Sequence, residues 1–375
     1  MRGTPVLVAV AAIAVVGLAV VAIGRGSDSG GGTSSGLPAA KGTTPPMDYR
    51  IVYRVTTPDS IGTEEHVVHR PFDAEIVARD DHGKVTAERW STLGRLVTRS
   101  QGAPAVRIDT AIAPAASDVR PERFDAQLAE ADKVVLHDDE PLQVGGRACH
   151  LANEAGTVST ADSGPLQAGD TGSVPTLVSR CVDAQGLVLE ERWTTADGQR
   201  VLTKQAQELQ IGDDVPAIKV PDADPFPDAQ GNGSVRKVDR DAPPPFLESW
   251  ELPDPEGFTF VGRYAVVPAR LGSSADAIPA GAEIALYTDV WRRGPDVVLL
   301  DQGASKGGVV PFDPDARIGD VDLGPIGKAE LAVDVRSAEI RLTRPDGGFA
   351  RLSGTVSVDD LAKLAGTLRV TRVAR

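Results

Sequence analysis

Five histidines and two cysteines are the residues of this chain whose types and spacing could support chemistry. In the segment Glu64-Glu65-His66-Val67-Val68-His69, two imidazoles stand beside two carboxylates, a combination that suits a metal ion. The valines of this segment favour a strand, and on a strand residues three positions apart point to opposite faces. We therefore expect that His66 and His69 do not share an ion, and we predict no metal site and no cofactor.

Other candidate catalytic groups are excluded by the same geometry. Cys149 and His150 are adjacent, as are the carboxylates Glu190 and Glu191, so on a strand the members of each pair face opposite ways. Gly327-Lys328 lacks the earlier glycine of a phosphate-binding loop. The sequence indicates no catalytic residue, and we predict that the protein is not an enzyme. A hydrolase with residues dispersed along the chain is the weakest of three hypotheses.

The two cysteines, Cys149 and Cys181, predict one disulfide if the chain is exported, since exported proteins keep their disulfides. It would close a loop of about 30 residues. The alternative is a pair of buried thiols in a cytosolic body.

The amino-terminal segment decides between these compartments. Residues 5–24 are apolar and uncharged, and a helix of about 20 residues crosses a bilayer core of about 30 Å. We predict a transmembrane anchor over residues 1–24, with the alternative of a cleaved signal peptide, whose apolar core is usually about 7–15 residues. The Gly-, Ser-, Thr- and Pro-rich residues 25–46 are interpreted as a flexible tether. The expected location is the plasma membrane, single-pass, with the body on the extracytoplasmic side.

The charge balance narrows the choice of partner. The formal net charge is −14, with 53 acidic and 39 basic residues. Nucleic acids and anionic lipid surfaces attract cationic proteins, so neither is an expected partner of the body.

The elements that would position these residues are mostly strands. Tyr49, Ile51, Tyr53 and Val55 alternate with polar residues, the period-two pattern of a half-buried strand. Between residues 47 and 213 we also predict a helix at 121–131 and a long loop at 154–175. Further strands are predicted at 66–70, 74–78, 86–91, 95–99, 106–112, 146–152, 176–182, 187–194 and 200–210.

The rest of the chain divides at a proline-rich segment. Residues 214–256 contain nine prolines, which lack the amide proton that a sheet needs, and we predict an extended linker there. Residues 257–375 then form a small C-terminal α+β domain with hairpins around residues 292–295 and 345–348. Ser357 is expected to cap a closing helix. The predicted fold class is α+β, an amino-terminal transmembrane helix followed by a strand-rich sheet with a helix and the smaller domain.

The order of these parts resembles periplasmic proteins of the LolA-like fold, and in architecture the MucB/RseB-type regulators of the sigma-E envelope response. The resemblance rests on a cysteine in QVGGRACHLAN, a second in SRCVDAQGLVLEERWTTADGQRVLTKQAQELQIG, the linker and the small C-terminal domain. It implies for residues 47–213 a curved antiparallel half-barrel whose concave face binds an acyl chain or a partner peptide. The strand pattern alone is equally consistent with a closed sandwich.

The leading hypothesis is therefore a membrane-anchored, extracytoplasmic, non-catalytic binding protein. It would carry lipid or lipoprotein, or sense envelope stress in a sigma-factor pathway through a membrane partner such as an anti-sigma factor. The alternative is a ligand-free interaction module of the cell envelope that binds another protein through an exposed sheet edge. No ligand-binding residue is assigned by the sequence.

Overall fold

The computed structural model describes residues 36–109, 112–115, 141–159, 173–195, 198–225, 234–241, 248–267, 286–303, 316–343 and 348–372. Over these ranges the chain forms two large curved antiparallel sheets and a two-stranded ribbon, with one α-helix. The predicted anchor at 1–24, the start of the predicted tether and the predicted helix at 121–131 lie outside the described residues. No helix within the described ranges is long and apolar enough to span a bilayer.

The larger sheet has twelve strands, in the order β12-β6-β5-β4-β3-β2-β1-β11-β10-β9-β8-β7. Its neighbours are antiparallel except for the short parallel pair of β12 with β6. Its strands are β1 (Asp48–Thr56), β2 (Ile61–His69), β3 (Asp73–Asp80), β4 (Val85–Thr92), β5 (Arg95–Ser100), β6 (Val106–Asp109), β7 (Leu142–Val144), β8 (Arg147–Ser159), β9 (Ser173–Val182), β10 (Val188–Thr195), β11 (Arg200–Ile211) and β12 (Asp224–Pro225). Because β1 pairs with β11, strands distant in sequence meet in mid-sheet.

One face of this sheet carries the first core. The alternation predicted for β1 is confirmed, since Tyr49, Ile51, Tyr53 and Val55 are all buried while Arg50 and Arg54 face the other way. Partners on β2 and β11 extend the same face. The core cluster includes Leu37, Val68, Ala74, Val144, Cys149, Cys181, Leu187, Leu189, Leu202, Ala206 and Leu209.

The loop predicted at 154–175 is wrong at both ends. β8 continues to Ser159 and β9 begins at Ser173, with Ala155 opposite Leu177 and Val158 opposite Val174. The physical reason is that the paired strands provide each other with hydrogen-bond partners, which neither segment reveals when it is read alone.

The proline-rich segment 214–256 supplies strands to the sheets as well as connecting them. It contains β12, β13 (Ser234–Val238) and β14 (Glu248–Glu251). Of the prolines that the structure describes in this segment, Pro225 lies in β12 and the others lie outside these strands, where no ladder hydrogen bond is needed. The domain boundaries placed at this segment stay a prediction.

The smaller sheet has eight strands, in the order β13-β15-β16-β17-β21-β20-β19-β18. The predicted hairpins are present as β16 with β17 and β20 with β21. The ribbon pairs β14 with β22 (Arg369–Arg372). The remaining strands are β15 (Thr259–Val267), β16 (Leu286–Arg293), β17 (Asp296–Gly303), β18 (Arg317–Asp322), β19 (Lys328–Val333), β20 (Ala338–Thr343) and β21 (Phe349–Gly354).

The closing helix, α1 (Val358–Ala365), covers one face of the smaller sheet. Its Leu361 and Ala365 are fully buried in a cluster with Ile340 and Leu352. The predicted cap is confirmed, because the amide of Asp360 donates to the Ser357 hydroxyl at 3.1 Å.

The other face of the smaller sheet meets the turns of the larger one. Phe72 and Leu93 of the larger sheet pack with Val235 and Tyr264 of the smaller one. Gly94 lies in this contact with a φ of +72°, and a Cβ there would lie 2.7 Å from a methyl group of Val235. Glycine is therefore required at this position by both its backbone angle and the close approach.

Candidate functional site

Five charged or titratable side chains form a row on the core-facing side of the larger sheet. Arg180 on β9 lies opposite Glu191 on β10, and Glu191 lies opposite Lys204 on β11. Beyond the intervening β1, Glu64 and His66 on β2 continue the line. We call Arg180, Glu191, Lys204, Glu64 and His66 the charged row. The register of five strands brings together residues that are up to 140 positions apart.

The members of the charged row bond to one another. Arg180 Nε donates to Glu191 Oε2 at 2.9 Å, and Lys204 Nζ donates to Glu64 Oε1 at 2.7 Å. The same Glu64 oxygen lies 2.5 Å from His66 Nε2. The exposed fractions of these five side chains lie between 7% and 15%, so the hydrogen bonds between them are largely shielded from water.

The electrostatics favour the charged forms in spite of burial. Burial alone would raise the pKa of Glu64, but the positive charge of Lys204 and the hydrogen bond from His66 outweigh it, and the pKa of Glu64 lies well below its ordinary value of 4.5. Burial also opposes the charge on Lys204, whose pKa is nevertheless raised by Glu64 and Glu191. The pKa of Glu191 is lowered in turn, because Arg180 and Lys204 outweigh its burial.

His66 has the most constrained surroundings in the row. Its ring meets the ring of Tyr53 edge-on at 5.1 Å, and the Tyr53 hydroxyl donates to the carbonyl of Val188 at 2.7 Å. Its Nδ1 is buried and has no hydrogen-bond partner among the described residues. A buried orphan nitrogen is costly, and it gives this face one unused hydrogen-bonding position.

Replacing Glu64 by glutamine should lower the free energy of unfolding by about 2–4 kcal/mol at pH 7, since the buried Lys204 loses its closest counter-charge. The native pKa of Glu64 lies below its unfolded value, so its contribution is full above about pH 4.5 and is lost as the pH falls. Urea unfolding of both proteins from pH 7 to pH 3 should show their difference shrinking on the acid side. A difference that is constant with pH would contradict this assignment.

The histidines considered as metal ligands have separate partners. His69 Nε2 donates to the carbonyl of Pro216 at 2.9 Å and its Nδ1 lies 3.1 Å from Asp48 Oδ1, whereas His66 bonds Glu64. In the described part of the chain, no three metal-ligating side chains come together. Within the part of the chain that the structure describes, neither imidazole hydrogen-bonds to a hydroxyl or a thiol.

A second cluster holds the end of the predicted tether against the sheet. The amide of Leu37 donates to the carbonyl of Gly145 at 2.6 Å, and the Leu37 side chain is buried in the core. Arg147 Nη1 donates to the carbonyl of Pro38 at 2.5 Å, and the same guanidinium pairs with Asp183 Oδ2 at 2.5 Å. The tether prediction is therefore wrong for residues 36–46, which we call the arm.

Two further side chains hold the later part of the arm. Gln185 Nε2 donates to the carbonyl of Thr44 at 3.1 Å, and Arg70 Nη1 donates to that of Pro46 at 2.8 Å. The arm was expected to be flexible because its composition offers few apolar side chains, yet its backbone carbonyls accept hydrogen bonds from side chains that are distant in the sequence.

The predicted disulfide joins Cys149 on β8 to Cys181 on β9 across 32 residues. Both cysteines are buried in the first core. Cys149 lies two positions after Arg147 on β8, and Cys181 lies two positions before Asp183, which directly follows β9. The cross-link therefore holds together the pair of strands that presents the arm's main contacts.

The pairing of the cysteines was predictable from the sequence, whereas the charged row was not. The signal available was the alternation itself, since Glu64, His66 and Val68 share a face, as do Lys204 and Ala206. A charge at a core-facing position of a strand is unusual and indicates a partner. Which partner it has depends on the register between strands, and that is visible only in the structure.

The chain is similar in structure to MucB. A chain of the Pseudomonas aeruginosa MucA/MucB complex matches over 87% of this chain and 94% of that chain, with 14% identity and a TM-score of 0.29. MucB in complex with MucA(peri) matches over the same shares with 15% identity and a TM-score of 0.24, and MucB alone with 13% identity, 86% and 92% coverage, and a TM-score of 0.24. No family model and no curated protein matches the sequence.

These matches confirm the predicted resemblance to MucB/RseB-type proteins.

Proposed function

We propose that this chain is an extracytoplasmic, non-catalytic binding protein of the cell envelope, held at the plasma membrane by residues 5–24. Its larger sheet would bind a polar segment of a membrane partner, and the chain would regulate that partner in an envelope-stress pathway. The observation that carries the proposal is the charged row, a line of paired charges on the core-facing side of the larger sheet.

The charged row favours a peptide over a bare acyl chain. An acyl chain can neither donate nor accept a hydrogen bond. If it displaced a hydrogen bond among these five largely dehydrated polar side chains, it could not replace that bond. A peptide can replace such bonds with its own backbone groups and can use the free Nδ1 of His66. Among the described residues, a cavity beside β4 and β5 has a volume of about 130 Å³. Sites for small ligands are usually about 300–1,000 Å³, so this cavity is small for such a ligand.

The proposed partner class is the extracytoplasmic segment of an anti-sigma factor. The structure of MucB has been solved in complex with MucA. We extend the same kind of partner to this chain as part of the proposal. A non-catalytic role agrees with the histidines, whose partners are carboxylates and a backbone carbonyl.

Site-specific photo-cross-linking of the full chain in bacterial membranes tests this function. Trp193 lies on the same face as Glu191 and donates to it at 2.8 Å, while its neighbour Arg192 is exposed on the opposite face. A cross-linking residue at position 193 should capture a membrane protein's extracytoplasmic segment, and the matched control at position 192 should not. Capture of lipid at position 193, with no polypeptide, would overturn the proposal and favour a lipid or lipoprotein carrier.

A further inference from the structure

Among the described residues, the smaller sheet has one edge strand that packs against the larger sheet and one edge strand with no neighbour on its outer side. At one side β13 packs through Val235 against Leu93 and Gly94 of the larger sheet. At the other side β18 is the outermost strand, and among the described residues its only neighbour is β19. The backbone groups on its outer side are therefore placed to pair with another strand.

The sequence of β18 has neither the proline nor the bulge that blocks the addition of a strand at many sheet edges. It has no proline and no lysine, and its register with β19 runs without a bulge from Arg317 opposite Val333 to Asp322 opposite Lys328. Ile318 is 59% exposed, the highest value among the large hydrophobic side chains of the described residues. Natural sheets usually avoid a regular, exposed edge of this kind because it recruits other strands.

The charges of this edge select what can pair with it. Asp320 on β18 lies directly opposite Glu330 on β19, both are exposed, and like charges in this position repel. The cation on the next strand, Arg341, is bonded to Glu339 instead. Among the described side chains no ion pair includes Asp320 or Glu330, so this edge presents two carboxylates beside an exposed apolar side chain.

We propose that β18 binds an extended, cationic peptide segment of a partner protein as an added strand. The peptide's backbone would continue the sheet, a lysine or arginine would lie over Asp320 and Glu330, and an apolar residue would cover Ile318. This inference rests on the proposed binding function and names the partner's chemistry at a second surface, separate from the charged row.

A second copy of this chain is a poor occupant of the same edge. Antiparallel pairing of β18 with itself near Gly319 would bring the two Asp320 side chains close together, in a chain whose net charge is −14. The carboxylates therefore protect the edge against self-association and leave it open to a basic strand.

Fluorescence anisotropy of the full chain in detergent, with labelled peptides, tests the inference. The probe is a ten-residue peptide of alternating lysine and valine, and its matched control has glutamate in place of lysine. The lysine peptide should bind, the glutamate peptide should not, and Asp320→Lys should weaken binding by about tenfold or more. Asp214→Lys makes the same charge change at an exposed position in the turn after β11 and should leave binding unchanged.

Charge attraction without strand formation would show a different signature. Isotope-edited infrared spectra of the bound lysine peptide should show β-sheet hydrogen bonding, and Ile318→Lys should weaken binding as Asp320→Lys does. Equal effects of Asp320→Lys and Asp214→Lys, an unstructured bound peptide, or dimerisation through β18 would each overturn the proposal. None of these results depends on cross-linking at Trp193, so the two proposals fail separately.

Discussion

Replacing Asp183 by alanine is expected to lower the free energy of unfolding by about 3–5 kcal/mol, because it leaves the Arg147 guanidinium as an uncompensated buried charge. Both side chains of this pair are fully buried and lie 2.5 Å apart. Asp183 Oδ1 also accepts from the amides of Gln185 at 2.8 Å and Leu187 at 2.9 Å, so the turn between β9 and β10 loses these two bonds as well. Urea unfolding at pH 7 measures the effect.

The control for this prediction is a solvent-exposed ion pair on the surface of the protein. Lys363 lies 3.6 Å from Asp360 on α1, with 77% and 48% of the two side chains exposed. Lys363→Ala should change the free energy of unfolding by no more than about 0.5 kcal/mol. Equal effects of Asp183→Ala and Lys363→Ala would show that the pair of Asp183 with Arg147 does not have the buried role assigned to it.

The pair of Arg147 with Asp183 should also determine how firmly the arm is held against the sheet. Arg147→Met removes the donor to Pro38 and the partner of Asp183, so residues 36–46 should leave the sheet more often. Limited trypsin digestion reads this out, since Lys41 is an exposed residue within the arm. Cleavage after Lys41 should be faster in Arg147→Met than in the unmodified chain or in Lys363→Ala, and unchanged cleavage would contradict the role of Arg147.

Removing the disulfide is expected to have the second large effect. The Cys149→Ala, Cys181→Ala double variant should lose about 3–4 kcal/mol of unfolding free energy, because the unfolded chain is no longer closed into a loop across 32 residues. Urea unfolding with and without a dithiol reductant measures it. Reduction should destabilise the unmodified chain by a similar amount and leave the double variant unchanged.

A result in which the reductant destabilises both proteins equally would contradict the disulfide. Reactivity of both cysteines in the exported, folded chain would do so too. That second result would also remove the support that the disulfide gives to an extracytoplasmic body.

Local patterns in the sequence were enough to predict most of the strands. The alternation of Tyr49, Ile51, Tyr53 and Val55 placed β1, and the Ser357 cap placed α1, because both depend on neighbours in the chain. The cysteine pair was predictable from its number and from the expected compartment.

Features that depend on distant partners were not predictable in this way. The arm looks like a tether until Arg147, more than 100 residues later, bonds its backbone. The strands β13 and β14 lie in a proline-rich segment and become strands because β15 and β22 pair with them. The charged row likewise joins Glu64 to Lys204 only through the register of β1 between them. In each case, which residues meet is decided by the tertiary pairing rather than by local propensity.

The most direct test of the central claim is native mass spectrometry of the full chain, released from bacterial membranes in mild detergent and analysed with and without organic extraction. We predict a chain that retains residues 5–24, carries no lipid of defined mass, and is bound to a polypeptide partner that Glu64→Gln releases. A stoichiometric lipid of defined mass on a chain without a protein partner would contradict it.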